Sequence, residues 1–114
     1  MVHDERSLLT LPRAQCLELL RNGCVGRVVF TERALPAVLP VTYGVLGEDV
    51  VIRTESGSRL AAAARSGVLA FEVDDIDIAA RTGWSVVVTG VPFLVQDPAE
   101  LERVAAVLDP WVRR

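Results

Sequence analysis

The residues best suited to chemistry lie together in Arg53-Thr54-Glu55-Ser56-Gly57-Ser58-Arg59, where two arginines and three hydroxyls surround a glycine. Arginine offers parallel N–H donors that fit a phosphate, and hydroxyls supply further donors. The stretch follows Val50-Val51-Ile52, a β-branched run that reads as a buried strand. It precedes Leu60-Ala61-Ala62-Ala63-Ala64, which reads as a helix. A turn from strand end to helix start also directs free backbone N–H groups and the helix dipole towards an anion. A plainer reading serves the same residues: Ser56 or Ser58 caps the helix, and both arginines are solvated.

Other chemistry is scarce. His3 is the only histidine, and it sits in a polar N-terminal stretch, which removes a Ser-His-Asp triad, a Cys-His pair and a histidine zinc site. Gly83-Trp84-Ser85-Val86-Val87 opens like a nucleophile elbow but lacks its last glycine. The chain has no G-x-G-x-x-G and no Walker loop. Any reaction would therefore be carried by a bound cofactor. Glu72, Asp74, Asp75 and Asp77 do not match an EF-hand, and they read as a solvated turn with no metal. Trp84, opening a strand beside Gly83, suits either the core or the wall of a pocket for a planar ligand.

These residues need elements to hold them. Residues 1–9 read as a loose arm; Thr10 is the expected N-cap of a helix over Arg13–Arg21, with Pro12 in its first turn and a left-handed stop at Asn22-Gly23. Val25–Thr31 is the first expected strand, followed by a turn over Glu32–Pro36 and a second strand over Ala37–Leu46. Pro40 has no N–H to donate, so it belongs at an edge, a bulge or a ligand. Val50–Thr54 is the third strand and Ser58–Arg65 the second helix, with Leu60, Ala61 and Ala64 on one side. Val68–Val73 and Trp84–Val91 complete the strands. Asp97-Pro98-Ala99-Glu100 starts a last helix whose Leu101, Val104, Ala105 and Leu108 form an apolar face, stopped by Asp109-Pro110. Short strands joined by short turns imply antiparallel pairing into a small barrel or curled sheet, in one domain spanning 1–114.

Composition narrows the partners. Half of the 114 residues are hydrophobic, 51%, with few aromatics, 5%, which favours a β-rich chain. The net charge is −3 without a single lysine, a poor balance for holding nucleic acid. No stretch approaches the ~20 apolar residues that span a bilayer, and the polar start is not a signal peptide. Cys16 and Cys24 form no framework and read as reduced and packed, so the cytoplasm is the expected location.

Taken in order, several segments resemble the pyridoxamine 5′-phosphate oxidase-like proteins of the FMN-binding split-barrel superfamily, in their actinobacterial-type branch. They are Val25-Gly26-Arg27-Val28, Leu39-Pro40-Val41-Thr42-Tyr43, Ile52-Arg53-Thr54, Gly57-Ser58-Arg59-Leu60, Ala70-Phe71-Glu72-Val73-Asp74 and Gly83-Trp84-Ser85-Val86-Val87-Val88-Thr89-Gly90. The resemblance covers about residues 8–111. It implies a mainly antiparallel split β-barrel with short flanking helices.

The resemblance also implies roles. Arg53, Thr54, Ser58 and Arg59 would hold the flavin phosphate, Arg59 standing where this branch often has lysine. The backbone of Pro40, Val41, Thr42 and Tyr43 would lie along the flavin ring, and Trp84 and Ser85 would sit near the cofactor at a dimer interface. The expected assembly is a homodimer with its cofactor sites between subunits. The expected function is a flavin-dependent oxidoreductase acting on a small molecule, with FMN or a deazaflavin as coenzyme. No second basic cluster is present for a substrate phosphate, which argues against pyridoxamine phosphate itself. The alternatives are a non-enzymatic module for flavin, deazaflavin, haem or a small regulatory ligand, and a structural dimer with an empty site. The family pattern continues into further strands past the last helix, whereas this sequence stops at Arg114, so those strands are expected to be absent and an edge left for a partner chain.

Overall fold

A computed structural model describes residues 10–55, 57–65 and 67–108. The expectations for residues 1–9, Ser56 and Asp109-Pro110 fall outside the described residues. The chain runs α1 (Arg13–Asn22), β1 (Val25–Glu32), β2 (Leu35–Thr42), β3 (Gly44–Leu46), β4 (Asp49–Val51), α2 (Arg59–Ala64), β5 (Leu69–Asp77), β6 (Thr82–Gly90) and α3 (Pro98–Val107). Four strands form one antiparallel sheet in the order β2-β1-β5-β6, and β3 and β4 pair as a separate hairpin. The fold is therefore mainly antiparallel β with short helices, as the sequence implies, but the sheet is open and not closed into a barrel.

Alternation along the strands decides which face is inside. Val28 and Phe30 of β1, Phe71 and Val73 of β5, and Val86 of β6 are buried on one face. Leu20 of α1, Leu60 and Ala63 of α2, and Tyr43 complete the core against them. The opposite face is valine-rich yet open: Val25, Val38 and Val87 are all exposed.

Several boundaries differ from those expected. The second strand is not continuous over 37–46; it breaks at Tyr43, where the ladder to β1 ends at Val25–Thr42 and the chain goes on to pair with β4, while Tyr43 keeps the inward side of the alternation and donates its hydroxyl to the Leu20 carbonyl at 2.5 Å. Its ring meets Phe71 edge-on, with centroids 4.9 Å apart. The third strand ends at Val51, since β4 pairs only with the short β3, and Ile52–Thr54 leave the ladder. Pro40 does lie on an edge strand, paired with Arg27.

At α1, Pro12 is itself the N-cap in an extended conformation, and no side chain caps the helix. Gly23 is extended (φ −95°), not left-handed, because the chain passes straight into β1. Its lack of a side chain has a packing reason: a Cβ there would collide with the Tyr43 hydroxyl. The first hairpin turns tightly through Arg33 and Ala34, both at positive φ (52° and 64°), with Leu35 and Pro36 already in β2. The acidic segment is strand and not turn, since Asp74–Asp77 pair residue by residue with Thr82–Ser85. In α2 the buried pair is Leu60 and Ala63. In α3 no residue is buried and Leu101 is 46% exposed, so the expected apolar face stays largely open; the helix leans mainly on the small strand β3. Asp97 is its N-cap residue but makes no side-chain cap bond. Cys16 is half-buried and Cys24 exposed, so only one of the two thiols is packed. Among the described residues no helix is long and apolar enough to cross a membrane.

The Tyr43 hydroxyl joins a helix end to the sheet, and its removal leaves the Leu20 carbonyl with the Gly23 N–H as its remaining donor. Tyr43→Phe is expected to cost about 1–2 kcal/mol of stability, read as a lower urea midpoint with an unchanged slope.

Candidate functional site

The anion-type residues are positioned by the way the chain leaves the β3–β4 hairpin. Val51 pairs with Gly44, so Ile52 and Arg53 start beside the Tyr43 break. The segment then turns through Gly57 (φ +85°), and Ser58 caps α2, its Oγ accepting from the Ala61 N–H at 3.0 Å. Ser58 is thus the cap the sequence offered. Thr54 Oγ1 stands 2.8 Å from Ser58 Oγ, so the two hydroxyls share one hydrogen bond. Arg59 opens α2 and reaches Glu32, at the far end of β1, with Nη1–Oε2 3.4 Å. Arg53 is exposed and has no hydrogen-bond or ion-pair partner among the described residues.

Side chains, and not the helix, supply what this site offers. With six residues, α2 is too short for a strong macrodipole, so the dipole argument made from sequence loses most of its weight. What remains is a set of two guanidiniums and two hydroxyls facing an anion-sized problem. That donor set fits a phosphate and does not fit a metal ion. Among the described residues no three His, Cys, Asp or Glu side chains gather as metal ligands.

The other expected residues are split between the two edges of the main sheet. Pro40, Val41 and Thr42 lie on β2, where Thr42 pairs with Val25, Val41 with Gly26 and Pro40 with Arg27. Tyr43 is only 3% exposed, and its backbone N–H donates to the Cys24 carbonyl. Trp84 and Ser85 lie on β6, the opposite edge, with β1 and β5 between them and β2. Three strand spacings make that separation about 14 Å. Within one chain, then, the strand backbone at Pro40–Thr42 and the Trp84–Ser85 pair are not brought together.

Trp84 packs against the core and also lines an open groove of about 1020 Å³ between α1 and β6. Arg13, Cys16 and Leu17 of α1 face it across that groove. Two contacts hold α1 to the β3–β4 turn: Arg21 Nη2 donates to the Gly47 carbonyl at 3.0 Å, and Arg13 pairs with Glu48 at 3.5 Å. Ser85 sits in mid-strand opposite Asp74, with no turn around it, so it is no nucleophile elbow.

Two features were not legible as site elements. Arg27 on β1 bridges Glu72 (3.1 Å) and Asp74 (3.2 Å) on β5, a triad on the open face of the sheet. An acidic turn was expected there; the signal available was the i, i+2 spacing of Glu72 and Asp74, which places both on one strand face. Glu32 is the second feature, because nothing in the sequence ties position 32 to position 59. Burial raises the Glu72 pKa above its ordinary value near 4.5, and a hydrogen bond and charge from Asp74 add to this; Arg27 opposes both.

The comparisons with known proteins agree with this geometry. A family profile described as pyridoxamine 5′-phosphate oxidase matches residues 12–114. The uncharacterized protein Rv0080 of Mycobacterium tuberculosis is 43% identical over 112 residues, covering 94% of this chain and 74% of that protein. The FAD binding protein of Mycobacterium smegmatis superposes with a TM-score of 0.78 at 33% identity, covering 88% of this chain and 84% of that one. A Corynebacterium glutamicum protein provisionally described as a pyridoxamine 5′-phosphate oxidase follows with a TM-score of 0.70 and 26% identity, over 91% and 76% of the two chains. The fold is that of the split-barrel neighbours, with the sheet left open. The chain belongs to the pyridoxamine 5′-phosphate oxidase family.

A raised pKa on Glu72 has a definite sign. Between about 4.5 and the raised value the folded chain binds the proton more tightly than the unfolded one. Stability therefore falls as pH rises through that window and levels off above it. Glu72→Gln is expected to flatten this part of a urea-midpoint profile against pH, while wild type keeps its slope.

Proposed function

We propose that this protein binds a flavin through its phosphate and serves as a flavin-dependent oxidoreductase for a small molecule. The observation that carries the reading is the Arg53, Thr54, Ser58 and Arg59 donor set, carried on the one segment that leaves β4 and opens α2. Family membership and the likeness to an FAD binding protein at 33% identity support it. A phosphate there would take charge-assisted hydrogen bonds from the two guanidiniums and further ones from the hydroxyls. Pro40, Val41 and Thr42 would offer edge backbone to a flat ring, with Tyr43 stiffening that backbone from the core side. When bound, a flavin supplies the hydride and electron transfer that no side chain here provides. The chain's own part is to hold the phosphate, orient the ring and keep water from it.

The same reading includes a homodimer. Trp84 and Ser85 lie across the sheet from Pro40–Thr42, so a second copy is the economical way to bring such groups to one ligand. The open sheet face, with Val25, Val38 and Val87 around the Arg27–Glu72–Asp74 triad, is the surface we assign to that contact. Valines on an outward face are otherwise a liability for an antiparallel sheet.

Flavin fluorescence is the test. Wild type is expected to quench FMN saturably, and Arg53→Ala/Arg59→Ala to weaken binding roughly a hundredfold, the loss of about 3 kcal/mol of charge-assisted bonding. FAD and a deazaflavin are titrated beside it, and oxidation of a reduced nicotinamide by the loaded protein separates an enzyme from a flavin-holding module. Failure to bind any flavin refutes the reading.

Sedimentation velocity tests the assembly, with a dimer expected for wild type. Val87→Glu is expected to shift it to monomer and to weaken flavin binding in parallel. A monomeric variant that binds as tightly as wild type would mean that one chain holds the whole site.

A further inference from the structure

Glu32 is a carboxylate that reaches the donor set from another element of the fold. It ends β1, and α2 packs against that strand, so Arg59 is delivered to it by the fold and not by sequence proximity. The side chain as a whole is 36% exposed, yet its Oε2 is shut off from solvent and accepts no hydrogen bond. Its nearest cation is Arg59, at 3.4 Å and outside hydrogen-bonding geometry. Arg59 itself remains 64% exposed, with the rest of its fork free to face outward. A carboxylate oxygen out of water and without a donor draws the guanidinium towards itself. An anion entering the site must take Arg59 against that pull and must also sit near the Glu32 charge.

We infer that Glu32 is a specificity-determining residue: it competes with the ligand phosphate for Arg59 and so penalises a dianionic monoester more than a monoanionic diester. The inference rests on the flavin reading given above. Coulomb repulsion scales with the charge brought near. A terminal phosphate carries close to two negative charges at neutral pH, whereas each phosphate of a pyrophosphate diester carries one. FMN presents the first kind and FAD the second. Glu32 thus shifts the site towards the dinucleotide without touching the ring, and Arg53, which has no acidic partner among the described residues, keeps the site net attractive to both.

The test measures dissociation constants for FMN, FAD and riboflavin in wild type, Glu32→Gln, Glu32→Asp and Glu32→Gln/Arg59→Ala, with the fold of each checked by circular dichroism. Glu32→Gln is expected to tighten FMN about three- to tenfold, a gain the size of a single ion-pair competition. FAD should tighten by about the square root of that factor, roughly two- to threefold, and riboflavin, which has no phosphate, should not change. Glu32→Asp keeps the charge and should stay close to wild type. In Glu32→Gln/Arg59→Ala the tightening should vanish. Binding of FMN by Glu32→Gln alone, with none by wild type, is the extreme form of the same result. The inference is overturned if FMN affinity is unchanged or falls in Glu32→Gln, or if riboflavin tightens equally. If no variant binds any flavin, the flavin reading itself has failed and the inference falls with it; wild-type binding with an unmoved Glu32→Gln sinks the inference alone.

Discussion

The hydrogen bond from Tyr43 to the Leu20 carbonyl decides the layout of this molecule. Nothing in the apolar pattern of residues 37–46 requires the strand to stop at Tyr43. The phenol is amphipathic, and once its ring is buried its hydroxyl must find an acceptor. The acceptor is the Leu20 carbonyl in the last turn of α1, which also takes the Gly23 N–H and has a second lone pair to offer. The bond pins the end of α1 to the point where the β1 ladder stops at Thr42, and beyond it β3 takes β4 as its partner. The β3–β4 hairpin is consequently a separate piece, and the segment from Ile52 to Arg59 starts outside the main sheet. Both the donor set and its contact with Glu32 follow from that displacement.

A second constraint is that the sheet has only one packed face. α1, α2 and the Tyr43 break supply enough apolar surface to cover Val28, Phe30, Phe71, Val73 and Val86. The other face keeps its valines at the surface and neutralises its charges internally, with one arginine spanning two carboxylates. Half-exposed ion pairs of this kind contribute little to folding. Their value here is that Glu72 and Asp74, two acids on one strand face, stay compatible with a surface that is otherwise apolar.

The candidate site is a balance of charges more than a cavity. It carries two arginines, one paired with an acid and one without a partner among the described residues. The large groove lies elsewhere, between α1 and β6, and shares only the Trp84–Ser85 strand with the residues proposed to meet the cofactor. A pocket of that shape, without the donors, would not by itself point to a phosphate.

How much of this was legible in the sequence depends on whether the controlling interaction is local. Ser58 as a cap, Pro98 at the start of α3, the strands around Val28 and Val86, and the arginine-hydroxyl turn were all readable, because capping, periodicity and donor chemistry are written within a few residues. The mainly antiparallel class followed from short strands with short links. The break at Tyr43 was hidden, since the acceptor lies 23 residues away. So was the tight turn at Arg33-Ala34, where neither residue has the glycine or asparagine that usually marks positive φ. The acidic stretch at Asp74–Asp77 reads as a turn in isolation and becomes strand only because β6 pairs with it throughout. Sequence alone thus determined which chemical groups are present and the local elements that carry them. Tertiary structure decided which groups meet: Arg59 with Glu32, Arg27 with Glu72 and Asp74, and Tyr43 with Leu20. Each of those contacts joins residues whose separation along the chain leaves no periodic or local trace, so only the packing of one element on another could create it.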